Sequence, residues 1–125
     1  MLNSTEAAQL CAEAADDKKA FDILILDLRS LTYISDYFVI CSASNTTQVS
    51  AIADGIGQML AKAGVHPSHI EGEAEASWVL MDYGDVVVHI FDEQTRVYYS
   101  LDKLWGDAPR IPVLAKQKVK QSISS

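Results

Sequence analysis

The chain has 125 residues, with 10 Lys and Arg against 17 Asp and Glu for a formal charge of -7. Its length suits one domain and leaves no room for a second catalytic one, and 49% hydrophobic with 22% charged residues is an ordinary globular composition, neither disordered nor collagen-like. No apolar run approaches the roughly 18 residues that cross a bilayer, and no basic region followed by an apolar core opens the chain, so a cytoplasmic location is expected, or a stroma or matrix in an organelle.

Asn3 followed by Glu6 is a capping-box pattern, and Ala7, Ala8, Leu10, Cys11, Ala14 and Ala15 then recur at helical spacing as far as Lys18 and Lys19. Ile23–Leu28 is short, β-rich and apolar on both alternating faces, as in an interior strand, and Tyr37–Cys41 is a second strand of the same kind. Asn45 with Gln48 is another capping box. It opens a stripe of Val49, Ile52, Ala53, Ile56, Leu60 and Ala63 that Gly64 stops. Gly55 and Gly57 inside that helix cost about 1 kcal/mol each relative to alanine, which predicts close packing onto a sheet. Strand, helix and strand in this order favour an α/β sheet.

Past Pro67, Ser68–Glu71 is a short strand candidate. Trp78–Asp82 and Val86–Phe91, joined through Asp82-Tyr83-Gly84-Asp85, read as an antiparallel hairpin. From Arg96 to Trp105, Val97, Leu101 and Leu104 keep helical spacing and Gly106 follows, so one last helix is expected. Pro109 and Pro112 mark the end of a domain set at residues 1–110. Residues 111–125, with Lys116, Lys118 and Lys120 and no acid, read as a flexible basic tail. Residues 1–110 then hold seven basic and 17 acidic side chains. Nucleic-acid binders usually carry a basic face, so a protein partner, itself basic, is expected.

Catalytic chemistry finds few candidates. Cys11 and Cys41 have no ligand spacing and read as buried free thiols. His66 and His69 lie in a Pro-bearing loop and read as surface polarity, and His89 reads as a packed sheet histidine with no nucleophile motif beside it. No glycine-rich phosphate cradle is present, and no cofactor or metal is expected. The carboxylates Asp82 and Asp85, with Glu71, Glu73 and Glu75 nearby in sequence, leave open a two-metal site of nucleotidyl-transfer type, weighed against turn chemistry on an acidic rim. The aromatics are more informative. Six of the ten lie between residues 78 and 105: Trp78, Tyr83, Phe91, Tyr98, Tyr99 and Trp105. Phe91 reads as core, but adjacent Tyr98 and Tyr99 cannot both face inward from one turn, which leaves room for a docking patch of the residue types that anchor interfaces.

The run Tyr37–Ser44, the Gln48–Asp54 helix start, the Glu71-Gly72 pair, and above all Trp78–Phe91 followed by Arg96, Tyr99, Leu104 and Trp105 resemble the ribosomal silencing factor family, RsfS or Iojap, over about residues 5 to 110. The resemblance implies a single α/β/α domain with a mixed, about five-stranded sheet, distantly like nucleotidyltransferases but without their catalytic apparatus. It implies binding, not turnover: docking on ribosomal protein fourteen of the large subunit and steric blocking of the small subunit, which represses translation, or an assembly role in large-subunit maturation. The docking positions it implies are Trp78, Asp82, Tyr83, Asp85, Arg96 and Tyr99, with His89 and Trp105 assigned to packing. A homodimer of the free protein and a minor rRNA contact by Lys116, Lys118 and Lys120 are further expectations. The chain departs from the family pattern in carrying Thr46 and Thr47 where many relatives have a basic residue, and in an aromatic Tyr83 where an aliphatic is common.

Overall fold

Of the two expected capping boxes, the first closes fully and the second only in its Asn45 half. In the computed structural model, which describes residues 2–114, Asn3 Oδ1 accepts from Glu6 N at 2.8 Å while Asn3 N donates to Glu6 Oε1 at 3.0 Å, opening helix α1 (Ser4–Asp17). Asn45 Oδ1 accepts from Gln48 N at 2.8 Å at the start of α2 (Thr46–Lys62), but Gln48 turns its own carboxamide to Ser44 N and to the carbonyls of Lys18 and Lys19. That side chain ties the end of α1 to the start of α2.

The strands are β1 (Phe21–Asp27), β2 (Tyr37–Ala43), β3 (His69–Glu71), β4 (Trp78–Asp82), β5 (Val86–Asp92) and β6 (Arg110–Ile111). They form one sheet in the order β3-β4-β5-β2-β1-β6, with β2 and β5 parallel and all other neighbours antiparallel. The sheet thus has six strands where about five were expected. The extra one, β6, pairs Ile111 with Ile25 and Arg110 with Leu26, and two residues between prolines are too short to carry a period. The fold also continues beyond residue 110: Gln9 donates to the Pro112 carbonyl at 2.8 Å and accepts from Leu114 N at 3.1 Å. Lys116, Lys118 and Lys120 lie outside the described residues.

Successive side chains of a strand point to opposite faces, and the two faces here are covered unequally. Val39, Cys41, Val88, Ile90, Val79 and Met81 pack under α1 and α2 in the larger core, where the small residues Ala8, Cys11, Ala12 and Ala15 let α1 come close. On the other face Leu26, Leu28, Ile40 and Phe91 form a smaller cluster with Leu101 and Trp105 against it. Gly57 does meet the sheet, since a Cβ there would lie at ordinary contact from Met81 Cε. Gly55 instead faces the side chain of Lys18, the residue that caps the end of α1, so its expected role against the sheet is not what the fold uses.

The expected last helix is in fact two. Asp92 Oδ1 accepts from Thr95 N at 2.8 Å and starts α3 (Glu93–Tyr99) earlier than expected, and Ser100 then turns left-handed (φ 50°, ψ 47°) before α4 (Leu101–Leu104). Ser100 Oγ donates to the Val97 carbonyl, closing the joint. The break aims Leu101 at the smaller core and leaves Val97 and Leu104 exposed, so the apparent apolar stripe is divided.

Gly72 holds the approach to β4. Its φ is +88°, Ala76 N donates to its carbonyl at 2.8 Å, and a Cβ on it would run into the Trp78 carbonyl oxygen. Gly72→Ala therefore combines a disfavoured backbone with a clash against backbone that must move. It is expected to cost at least about 2 kcal/mol in urea unfolding.

Candidate functional site

Along β4, Trp78, Leu80 and Asp82 share the second face while Val79 and Met81 are buried under the helices. Trp78, Leu80 and Asp82 are only half-buried. The indole is fixed from two sides: Trp78 Nε1 donates to His89 Nδ1 at 3.1 Å, and the ring sits 5.0 Å from Phe91 and 4.6 Å from Tyr99, centroid to centroid. Tyr99 is 48% exposed and carries the neighbouring Tyr98, 81% exposed, edge-on at 5.0 Å. Tyr99 and Tyr98 thus continue the Trp78 surface onto α3 as an aromatic strip.

His89, expected to pack, does so with its ring 4.6 Å from Phe38, and it also accepts the indole proton. Because Nδ1 accepts, the neutral ring carries its own proton on Nε2, a buried atom with no hydrogen-bond partner among the described residues. Burial pushes the imidazole down to about 4, so it is uncharged and remains an acceptor at neutral pH. The acceptor role of His89 was not legible in the sequence, although its shared strand face with Phe91 follows from alternation.

The six positions implied by the resemblance do not converge on one spot. Trp78 and Tyr99 meet. Arg96, one turn before Tyr99, points the other way: its Nη1 donates to the Asp22 carbonyl and to Ser42 Oγ at 2.9 Å. Asp82, Tyr83 and Asp85 stand at the far end of β4, roughly 13 Å along the strand from Trp78. There Asp82 Oδ1 accepts from Gly84 N at 2.8 Å, and the Asp85 carbonyl accepts from Asp36 N, Tyr37 N and Ser35 Oγ. Tyr83 turns to the opposite face and packs against the larger core. Its buried hydroxyl has no partner among the described residues, and burial, with a smaller contribution from Cys11, pushes the phenol pKa up.

The acidic residues do not gather either. Among the described residues no three His, Cys, Asp or Glu side chains are placed to hold a metal ion, and His69 Nε2 instead meets Glu71 Oε1 at 3.3 Å. Cys11 and Cys41 are buried and free, and burial pushes both thiols up to about 12, with Cys41 adding to the effect at Cys11. They act as small apolar residues. No helix among the described residues is long and apolar enough to cross a membrane.

This arrangement, a mixed sheet backed by two helices with an aromatic surface on its other side, has solved counterparts. A crystal structure of a Chromobacterium violaceum protein superposes with a TM-score of 0.82 at 36% identity, covering 84% of this chain and 88% of that one. One from Bacillus halodurans gives 0.77 at 39% identity, covering 86% and 98%. The family model described as "Ribosomal silencing factor during starvation" matches residues 1–125. The ribosomal silencing factor RsfS of Bacillus subtilis is 46% identical over 108 residues, 86% of this chain and 92% of that protein. The chloroplastic protein Iojap of Zea mays is 38% identical over 101 residues, 80% of this chain and 43% of that protein. The chain belongs to the ribosomal silencing factor family, RsfS or Iojap, and translation regulation at the ribosome is the role that the family's name carries.

Two outcomes follow from the site's polar groups. The folded His89 ring titrates near 4 and a free histidine at 6.5, so its neutral form contributes stability that is complete above pH 6.5 and lost as the pH falls through 4. The loss is expected to reach about 3 kcal/mol in wild type and to be absent in His89→Gln, read from urea unfolding at a series of pH values. Tyr83→Phe removes a buried hydroxyl that has no partner, and is expected to raise stability by about 1 kcal/mol in the same assay.

Proposed function

We propose that this chain docks on ribosomal protein fourteen of the large ribosomal subunit through the second face of its sheet and, once bound, sterically blocks the small subunit. The observation that carries the reading is Trp78, fixed by His89 and packed against Phe91 and Tyr99 at the open edge of that face. A large aromatic held rigid before binding loses little conformational freedom on docking, which is what makes an anchor effective. Membership in the family supports a ribosomal partner. The charge supports a basic one: the formal charge is -7, and exposed Glu71, Glu73 and Glu75 flank the Trp78 segment. Rim carboxylates speed and orient the approach of a cationic partner more than they add affinity. They also disfavour bare RNA.

Within this reading Trp78 and Tyr99 form the anchoring centre, Asp82 and Asp85 are acceptors at one end of the surface, and Arg96 and Tyr83 act indirectly, by holding α3 and by seating the hairpin turn. Binding, not turnover, is the proposed activity. The free protein could pair with itself through the same aromatic strip, which sedimentation at increasing concentration tests.

With dissociated subunits and rising magnesium, the protein is expected to leave more free large subunits in a sucrose gradient. Unchanged association at saturating protein defeats the proposal. Trp78→Ala and Tyr99→Ala are each expected to weaken large-subunit binding by about 2 kcal/mol or more, and a well-folded variant that binds like wild type removes its residue from the interface. Recovery with assembly intermediates instead of mature large subunits points to a role in maturation.

A further inference from the structure

A cavity of about 560 Å3 lies on the other side of α3 from the Trp78 surface, bounded by β1, β2, the α3–α4 joint and β6. That volume is within the range of roughly 300–1,000 Å3 that small-molecule sites occupy. Arg96, Lys103 and Arg110 supply three cations to its wall, and none of the three forms an ion pair among the described residues. Asp22, Glu93 and Asp102 supply acceptors to the same wall, and Leu24 and Val97 give it an apolar part.

One of the cations is preorganised. Between Phe21 and Leu24 the register of β1 against β2 shifts, and Asp22 takes φ 49°, a left-handed conformation that is disfavoured for a non-glycine residue. The bulge gives the Asp22 carbonyl to Arg96 Nη1, and Ser42 Oγ accepts from the same nitrogen. With that nitrogen held, the remaining N–H groups of the guanidinium keep a fixed orientation, the condition for two-point recognition of an oxyanion. Bulges recur where a strand must re-aim a group toward a ligand.

The mixture of signs selects the ligand class. A continuous polyanion such as RNA would set phosphates against Asp22, Glu93 and Asp102 as well as against the cations. A single phosphate on a hydroxyl-bearing body satisfies both sets, with the phosphate on the cations and the hydroxyls donating to the carboxylates. We propose that this cleft binds a phosphorylated ribose compound of mononucleotide size, its phosphate on Arg96, Lys103 and Arg110 and its hydroxyls on the three carboxylates. The inference concerns binding without turnover and stands apart from the docking reading.

The test is calorimetric titration of the full chain with ribose 5-phosphate, the four ribonucleoside 5′-monophosphates, inorganic phosphate and a single-stranded RNA dodecamer. At least one ribose phosphate is expected to bind saturably and more tightly than inorganic phosphate. The Lys103→Ala/Arg110→Ala double variant, at exposed positions and checked by circular dichroism, is expected to weaken that binding about tenfold or more. Asp102→Asn separates the two halves of the site: it should weaken the ribose phosphate while inorganic phosphate, relieved of a repelling carboxylate, binds equally or better. Absence of saturable binding by all five ribose compounds overturns the proposal. So does binding that survives in the double variant, or RNA binding tighter than any of the five.

Discussion

The parallel pairing of β2 with β5 is the constraint on which the rest of the molecule depends. Seven consecutive residues, Tyr37–Ala43, pair in unbroken register with Val86–Asp92. A parallel pair cannot be closed by a tight turn, so the chain between must leave and return, and α2, β3 and β4 all lie within that excursion. The register also decides which side chains share a face. Val39 and Val88 are committed to the helix-backed core, and Ile40, His89 and Phe91 to the opposite side. Once His89 is there, β4 as its antiparallel neighbour brings Trp78 opposite Phe91 and within reach of the imidazole. A slip of one residue would send Trp78 into the helix-facing core and Val79 outward.

The unequal covering of the two faces explains how a small acidic chain offers a rigid surface. α1 and α2 bury one side almost completely, and the short α3 and α4 cover the other in part. Trp78 belongs to both roles: its ring completes the smaller core through Phe91, and its outer part remains available beside Tyr99. The fold and the surface therefore cannot be varied independently at this residue. The neutral His89 reinforces this, since a charged ring would lose its acceptor nitrogen and be stranded among Phe38, Phe91 and Trp78.

Most of the architecture was legible where the signal is local. The capping residues Asn3 and Asn45, the paired apolar strands and the hairpin at Gly84 all follow from spacing and turn chemistry, and the fold class follows from their order. What escaped depends on contacts distant in sequence. β6 exists because β1 has a free edge to receive it, and the division at Ser100 exists because Leu101 has a core to reach. The candidate residues divide in the same way. The aromatic clustering that drew attention to Trp78 and Tyr99 is visible in composition alone. The departure of Arg96 toward Asp22, 74 positions earlier, and the inward turn of Tyr83 are tertiary facts with no periodic trace.

Gln9 has a further consequence. By donating to Pro112 and accepting from Leu114, it clasps the C-terminal segment against α1, so the two ends of the described chain leave side by side from the helix-backed side of the sheet. The Trp78 surface is on the reverse. A fluorophore attached at Leu114 would therefore sit behind the molecule, and the aromatic face could meet a particle as large as a ribosomal subunit without the label standing between them.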